Sequence, residues 1–181
     1  MVHCGSRRCA RALLIAVALC AGCGSSGSPK ISPASYVKSV CSAISPLERD
    51  VVTRSSALNN STAANATQAK KILQDFLAAV EKDSDQAVSQ IRAAGTPEIS
   101  NGHAVAGTIV KAFTELRDAM RAASAKATSL PTDSAASFKT AAQALGAGVR
   151  ASLGNIDASG LSNPDLEKAA AKEAACKNLN G

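Results

Sequence analysis

Histidine and cysteine, the side chains best suited to nucleophilic, metal-binding or acid–base chemistry near neutral pH, number two and six in this 181-residue chain. Histidine stands at His3 and His103, and cysteine at Cys4, Cys9, Cys20, Cys23, Cys41 and Cys176. His103 follows Gly102 at the predicted opening of a helix, with no G-x-S-x-G around any serine and no local aspartate to orient its ring. It reads as a solvated residue, and the expectation for catalytic residues is none. Past residue 23 there is no C-x-x-C, no H-E-x-x-H and no Glu-x-x-His pair, so no metal site and no cofactor is expected. Glu81-Lys82-Asp83-Ser84-Asp85 is the densest acidic stretch, but it lacks the glycine turn and closing glutamate of a calcium loop. Its carboxylates should fan around a helix as a solvated face. Glu115 and Asp118 share a helix face with Arg117 and Arg121, the spacing of ordinary surface pairing.

Composition narrows the classes further. The formal charge is +6, but Arg7, Arg8 and Arg11 lie in a segment expected to be removed, and +3 remains without them. Lys70-Lys71 and Arg117/Arg121 form no continuous basic stripe, and one tyrosine, three phenylalanines and no tryptophan leave little to stack bases. Nucleic acid is therefore not an expected partner.

The N-terminus carries an address. The three arginines precede the apolar run Ala12-Leu13-Leu14-Ile15-Ala16-Val17-Ala18-Leu19, and small Ala21-Gly22 precede Cys23. Such a run reaches only ~12–14 Å as a helix, too short for a bilayer core of ~30 Å. Leu19-Cys20-Ala21-Gly22-Cys23 resembles the lipobox of bacterial lipoproteins, although Leu19 lies four residues before Cys23 rather than three. The resemblance implies a signal over residues 1–22, lipidation of Cys23 and residence on the extracytoplasmic face of the bacterial cell membrane. The alternative is an ordinary secretory signal cut near Ala21. Residues 23–31, rich in Gly and Ser, read as a flexible tether to a domain over 32–181.

That domain shows helical spacing almost throughout. Ser32-Pro33 is a capping serine with proline at the first helical position, opening a stripe of Val37, Val40, Ile44, Leu47, Val51 and Leu58. Ser45-Pro46-Leu47-Glu48 is itself a capping box, so a kink or restart is expected there. After Asn59-Asn60-Ser61-Thr62 a second helix carries Ile72, Leu73, Phe76, Leu77, Val80, Val88 and Ile91, ending at Gly95-Thr96-Pro97. A third runs from about Gly102 to Ser129 with Val105, Ile109, Phe113, Leu116 and Met120. A fourth, after Thr132-Asp133, carries Phe138, Ala142, Leu145, Val149, Leu153 and Ile156; Asn163-Pro164 opens a short fifth. The fold class is all-α: an up-down bundle of four long helices plus a short C-terminal helix. The N-x-S/T matches at Asn59, Asn60 and Asn65 fall in a polar interhelix segment and read as chance.

The core is poor in large side chains, since 38 residues are alanine. Cys41 and Cys176 are expected to compensate by forming a disulfide, the alternative being two free thiols. Disulfides persist in exported proteins. The fifth helix, parallel to the first, would bring the two residues to heights of ~12 and ~18 Å above the same end.

The whole chain resembles the small, Ala-rich, two-cysteine helical lipoproteins of high-GC Gram-positive bacteria. Two functions are expected of a tethered domain without catalytic groups, the first preferred and the second its alternative. One is a structural or binding domain for an envelope protein. The other is a carrier of a small apolar ligand or lipid, with Tyr36, Phe76, Phe113 and Phe138, one per long helix, as candidate lining. A closed alanine seam favours the first; an apolar cavity of ~300 Å³ or more favours the second.

Overall fold

The computed structural model describes residues 29–60, 64–155, 162–177 and 179. The predicted signal, Cys23 and most of the tether lie outside the described residues. Four long helices pack up-down, each against its sequence neighbour: α1 (Pro33–Asn59), α2 (Ala66–Ala93), α3 (Gly102–Ala127) and α4 (Ala135–Gly154).

Three of the four starts are capped by a local side chain, and α3 opens at Asn101 without one. The Ser32 hydroxyl accepts from the Ser35 amide at 3.2 Å, and Pro33 occupies the first turn, where no amide hydrogen is needed. Asn65 caps α2 by accepting from the Gln68 amide, while Gln68 Oε1 accepts from the Ala64 amide at 2.8 Å. This reciprocal pair resembles a capping box and gives Asn65 a structural role that its N-x-T match did not indicate. Ser134 caps α4 as Ser32 caps α1, accepting from the Ser137 amide at 3.1 Å, and the Ser137 hydroxyl donates to Asp133.

Helix α1 does not restart at Pro46. Ser45, expected as a cap, instead donates its hydroxyl to the Cys41 carbonyl at 2.8 Å, and the helix runs on. Val40, Ala43 and Leu47 are buried on either side of the proline, so packing carries one apolar face through it.

Residues 30–31, assigned to the tether by composition, are held by the bundle. Lys30–Ile31 (β1) pairs in parallel with Thr96–Pro97 (β2), in register Lys30↔Thr96 and Ile31↔Pro97. The Thr96 amide donates to the Pro29 carbonyl at 2.9 Å and the Glu98 amide to that of Ile31 at 2.8 Å. Two residues are too few to show alternation, which is why the pairing is invisible in sequence. Gly95 makes the approach feasible: its φ is 86°, and a Cβ there would stand 2.5 Å from the Pro29 carbonyl oxygen.

A Cβ on Gly102 would likewise collide with the Pro97 carbonyl oxygen, whereas nothing lies within 4 Å of one on Gly148. The same substitution should therefore have opposite signs. Gly102→Ala is expected to destabilise by ~1–3 kcal/mol through overpacking. Gly148→Ala should stabilise by ~1 kcal/mol through helix propensity. Thermal melts of the two variants check both.

The expected C-terminal helix divides in two: α5 (Pro164–Ala170) and α6 (Ala174–Lys177), with the Glu173 side chain accepting from the Ala175 amide. Asn163 caps α5 as its sequence indicated and donates to Asn101 Oδ1 at 3.3 Å, placing the start of α5 beside the start of α3. From there α5 and α6 pack along α1. Cys41 and Cys176 form a disulfide with a Cα–Cα distance of 5.1 Å.

The core centres on Tyr36, Ile91, Val105 and Ala127, each 1% exposed or less. Tyr36 is an odd member, because its hydroxyl is buried with no hydrogen-bond partner among the described residues. Burial pushes its pKa up to about 12. An unfolded tyrosine ionises near 10, so the unfolded state loses its proton first and stability falls as pH rises from 10 toward 12. Tyr36→Phe should remove this alkaline weakness. At neutral pH it should also raise the melting temperature by ~2–4 °C, since an unsatisfied buried hydroxyl costs at least ~1 kcal/mol.

Candidate functional site

Helix α4 differs from the other three long helices in that none of its residues is fully buried. Its apolar stripe, Phe138, Ala142, Leu145, Val149 and Leu153, is only half-buried, although it follows the same spacing as the buried stripes. The helix leans on α3 and stands away from α1, leaving an apolar groove of about 980 Å³. Leu47, Leu77, Val80 and Met120, all buried, form its floor from α1, α2 and α3. Val51 and Leu58 of α1 and Leu73 and Phe76 of α2 form one wall, and the α4 stripe forms the other. The volume lies at the upper end of the ~300–1,000 Å³ typical of small-molecule sites, which are also mainly apolar.

A second space of about 300 Å³ lies between α3 and α4, lined by small residues including Ala119, Ala122, Ala141 and Gly148. The alanine seam therefore does not close fully. Alanines let helices approach, but here α4 rests on α3 with gaps to both sides.

The four aromatic residues do not converge. Phe76 and Phe138 line the groove. Tyr36 is 1% exposed within the core near the start of α1, at the opposite end of the bundle from Phe138. Phe113 is half-buried against the core and is not part of the groove lining. Periodicity assigns each ring to an inward face, but height along the axis separates them.

Polar groups at the groove are few and unevenly placed. Ser55 comes from α1; Lys139, Gln143 and Arg150 come from α4, at the i, i+4, i+11 spacing of one helix face. Sequence reading passed over them because they adjoin an apolar stripe and belong to no motif. Gly146 completes that row, and a Cβ added to it would lie 3.7 Å from Arg150 Nη1, so the guanidinium folds back along α4 toward the glycine.

The acidic stretch is not simply a solvated face. Glu81 pairs with Arg121 at 2.9 Å and Asp85 with Arg117 at 3.3 Å, linking α2 to α3, while Ser84 is fully buried and donates to the Val80 carbonyl. Arg121 reaches Asp118 at 3.6 Å, as their shared face implied, and Arg117 reaches the same carboxylate as its neighbour in the chain, but Glu115 pairs with Lys111 instead. Burial, then hydrogen bonding with Asp50, raises the Asp83 pKa. Asp50 is lowered, first by its hydrogen bond from Arg54. The Glu81–Arg121 and Asp85–Arg117 pairs tie α2 to α3, the other ion pairs lie within single helices, and all of them lie outside the groove lining. His103 is exposed at the start of α3. Among the described residues no group of three or more His, Cys, Asp or Glu is placed to hold a metal, and no helix is long and apolar enough to cross a membrane. The chain matches no family model, no curated protein and no solved structure.

Proposed function

We propose that this domain is a carrier: it holds an apolar ligand, a lipid, in the groove between α4 and the other three long helices. The single observation that carries the reading is a groove of about 980 Å³ beside a helix with an apolar stripe but no fully buried residue. Burying those half-exposed side chains is favourable at ~25 cal/mol per Å² of apolar area, and a hydrocarbon ligand supplies the missing contacts. The lipobox resemblance supports the source, because lipidation of Cys23 would hold the domain at a membrane surface. The reading of a purely structural domain has less support, since the alanine seam that favoured it leaves a gap of about 300 Å³.

Hydrogen exchange on the full chain, before and after exhaustive removal of bound lipid, tests the proposal. Amides of α4 should exchange faster once the lipid is gone, while those of α1 to α3 change little. Unaltered exchange across α4 would contradict a ligand in this groove.

A further inference from the structure

Resting on the groove reading, we infer that the ligand is an anionic diacyl phospholipid, its acyl chains in the groove and its phosphate on Arg150. Charge carries the first step. The two charged residues lining the groove, Lys139 and Arg150, are both cations, and no carboxylate lines it among the described residues. Neither is ion-paired among the described residues, whereas Arg54, Arg117 and Arg121 are each held by carboxylates. An apolar trough rimmed by unneutralised cations complements a molecule with a hydrocarbon body and a negative head.

Geometry selects between the cations. Arg150 lies one turn from the end of α4, toward the end of the bundle where β1 enters. The chain from Cys23 reaches the bundle there, so the Arg150 mouth is the one nearer the predicted membrane anchor. From Gly146, beside which the Arg150 guanidinium lies, to Phe138 is eight residues, ~12 Å of helix, and the rings extend it further. An acyl chain spans about half of a bilayer core, ~15 Å, and fits that run with its tip at Phe76 and Phe138. A guanidinium fork also matches two phosphate oxygens at once, which the Lys139 ammonium cannot do. The volume of about 980 Å³ leaves room for a second chain.

The test uses the full chain reconstituted into vesicles of equal parts phosphatidylglycerol and phosphatidylcholine with identical acyl chains. The protein is released in mild detergent and its bound lipid identified by native mass spectrometry. Wild-type protein should carry phosphatidylglycerol over phosphatidylcholine by several-fold: both offer a phosphate to Arg150, but the choline ammonium of the second offsets that charge beside the unneutralised cations of the groove. Arg150→Met should bring the ratio near one by lowering the phosphatidylglycerol bound, while the melting temperature holds because the side chain is exposed. Arg150→Lys should restore part of the preference, and Lys38→Met, at an exposed cation outside the groove lining, should change it little. Equal occupancy by both lipids in the wild type would overturn the headgroup assignment and leave the groove reading standing. A phosphate-free fatty acid as the sole bound species would overturn the phospholipid assignment. Absence of any bound lipid would overturn the groove reading itself.

Discussion

Reducing the Cys41–Cys176 disulfide lowers the melting temperature by about 10–15 °C. The bond joins residues 135 apart, and the chain-entropy model gives ~4–5 kcal/mol for closing a loop of that size, an upper bound. For a domain of this length each kcal/mol corresponds to ~2–4 °C. Local structure makes the dependence stronger. Helices α5 and α6 have seven and four residues, far below the ~12–15 that an isolated helix needs to be even marginally stable. Leu166 and the disulfide hold this segment to α1, helped by the Ser45 hydroxyl near the Ala175 carbonyl at 3.4 Å. Reduction should release α5 and α6 first and expose Tyr36, Val37 and Val40. The double variant Cys41→Ala/Cys176→Ala should melt like the reduced protein. A shift under ~3 °C in a thermal scan with and without reductant would show that the bundle stands without its staple.

Replacing Ala142 by tryptophan should empty the groove without harming the fold. Ala142 is half-buried on the α4 stripe and its side chain meets the open space, so an indole has somewhere to go. It also covers apolar surface that is otherwise exposed, and the melting temperature should hold or rise. Lipid recovered by solvent extraction of the purified protein should fall to about a tenth of the wild-type amount or less, since one volume cannot hold both occupants. Ala127→Trp makes the contrast. Ala127 is 0% exposed at the end of α3, where an added ring meets close-packed neighbours. That change should cost ~3 kcal/mol, or some 6–12 °C, by overpacking. Melts of the two variants beside lipid quantification separate a groove from a core. Undiminished lipid in Ala142→Trp would place the ligand elsewhere.

Much of the architecture was legible because it is decided locally. Ser32-Pro33 and Asn163-Pro164 pair a capping side chain with a proline, and both begin helices where the chain must turn. The disulfide was legible because helix order alone brings Cys41 and Cys176 to similar heights at one end. Failures came where tertiary packing outweighed a local signal. Ser45-Pro46-Leu47-Glu48 has the residues of a helix start, yet the continuous burial of Val40, Ala43 and Leu47 keeps α1 whole. The Asn65–Gln68 cap has its spacing in plain view, but the N-x-T match at the same asparagine points to a modification site and masks it. The candidate site was less readable still. The α4 stripe has the same period as the stripe of α2, and only assembly shows that one is buried and the other stands off. For the same reason Tyr36 and Phe113 were grouped with Phe76 and Phe138: a helical period gives the face of a residue and not its height.

The central claim, one lipid in one groove, is tested most directly by native mass spectrometry of the full chain extracted gently from its own membrane. The expected spectrum shows protein plus a single non-covalent adduct of phospholipid mass, lost on denaturation and absent from Ala142→Trp. A protein carrying only covalent lipid, or an adduct retained equally by wild type and Ala142→Trp, would contradict it.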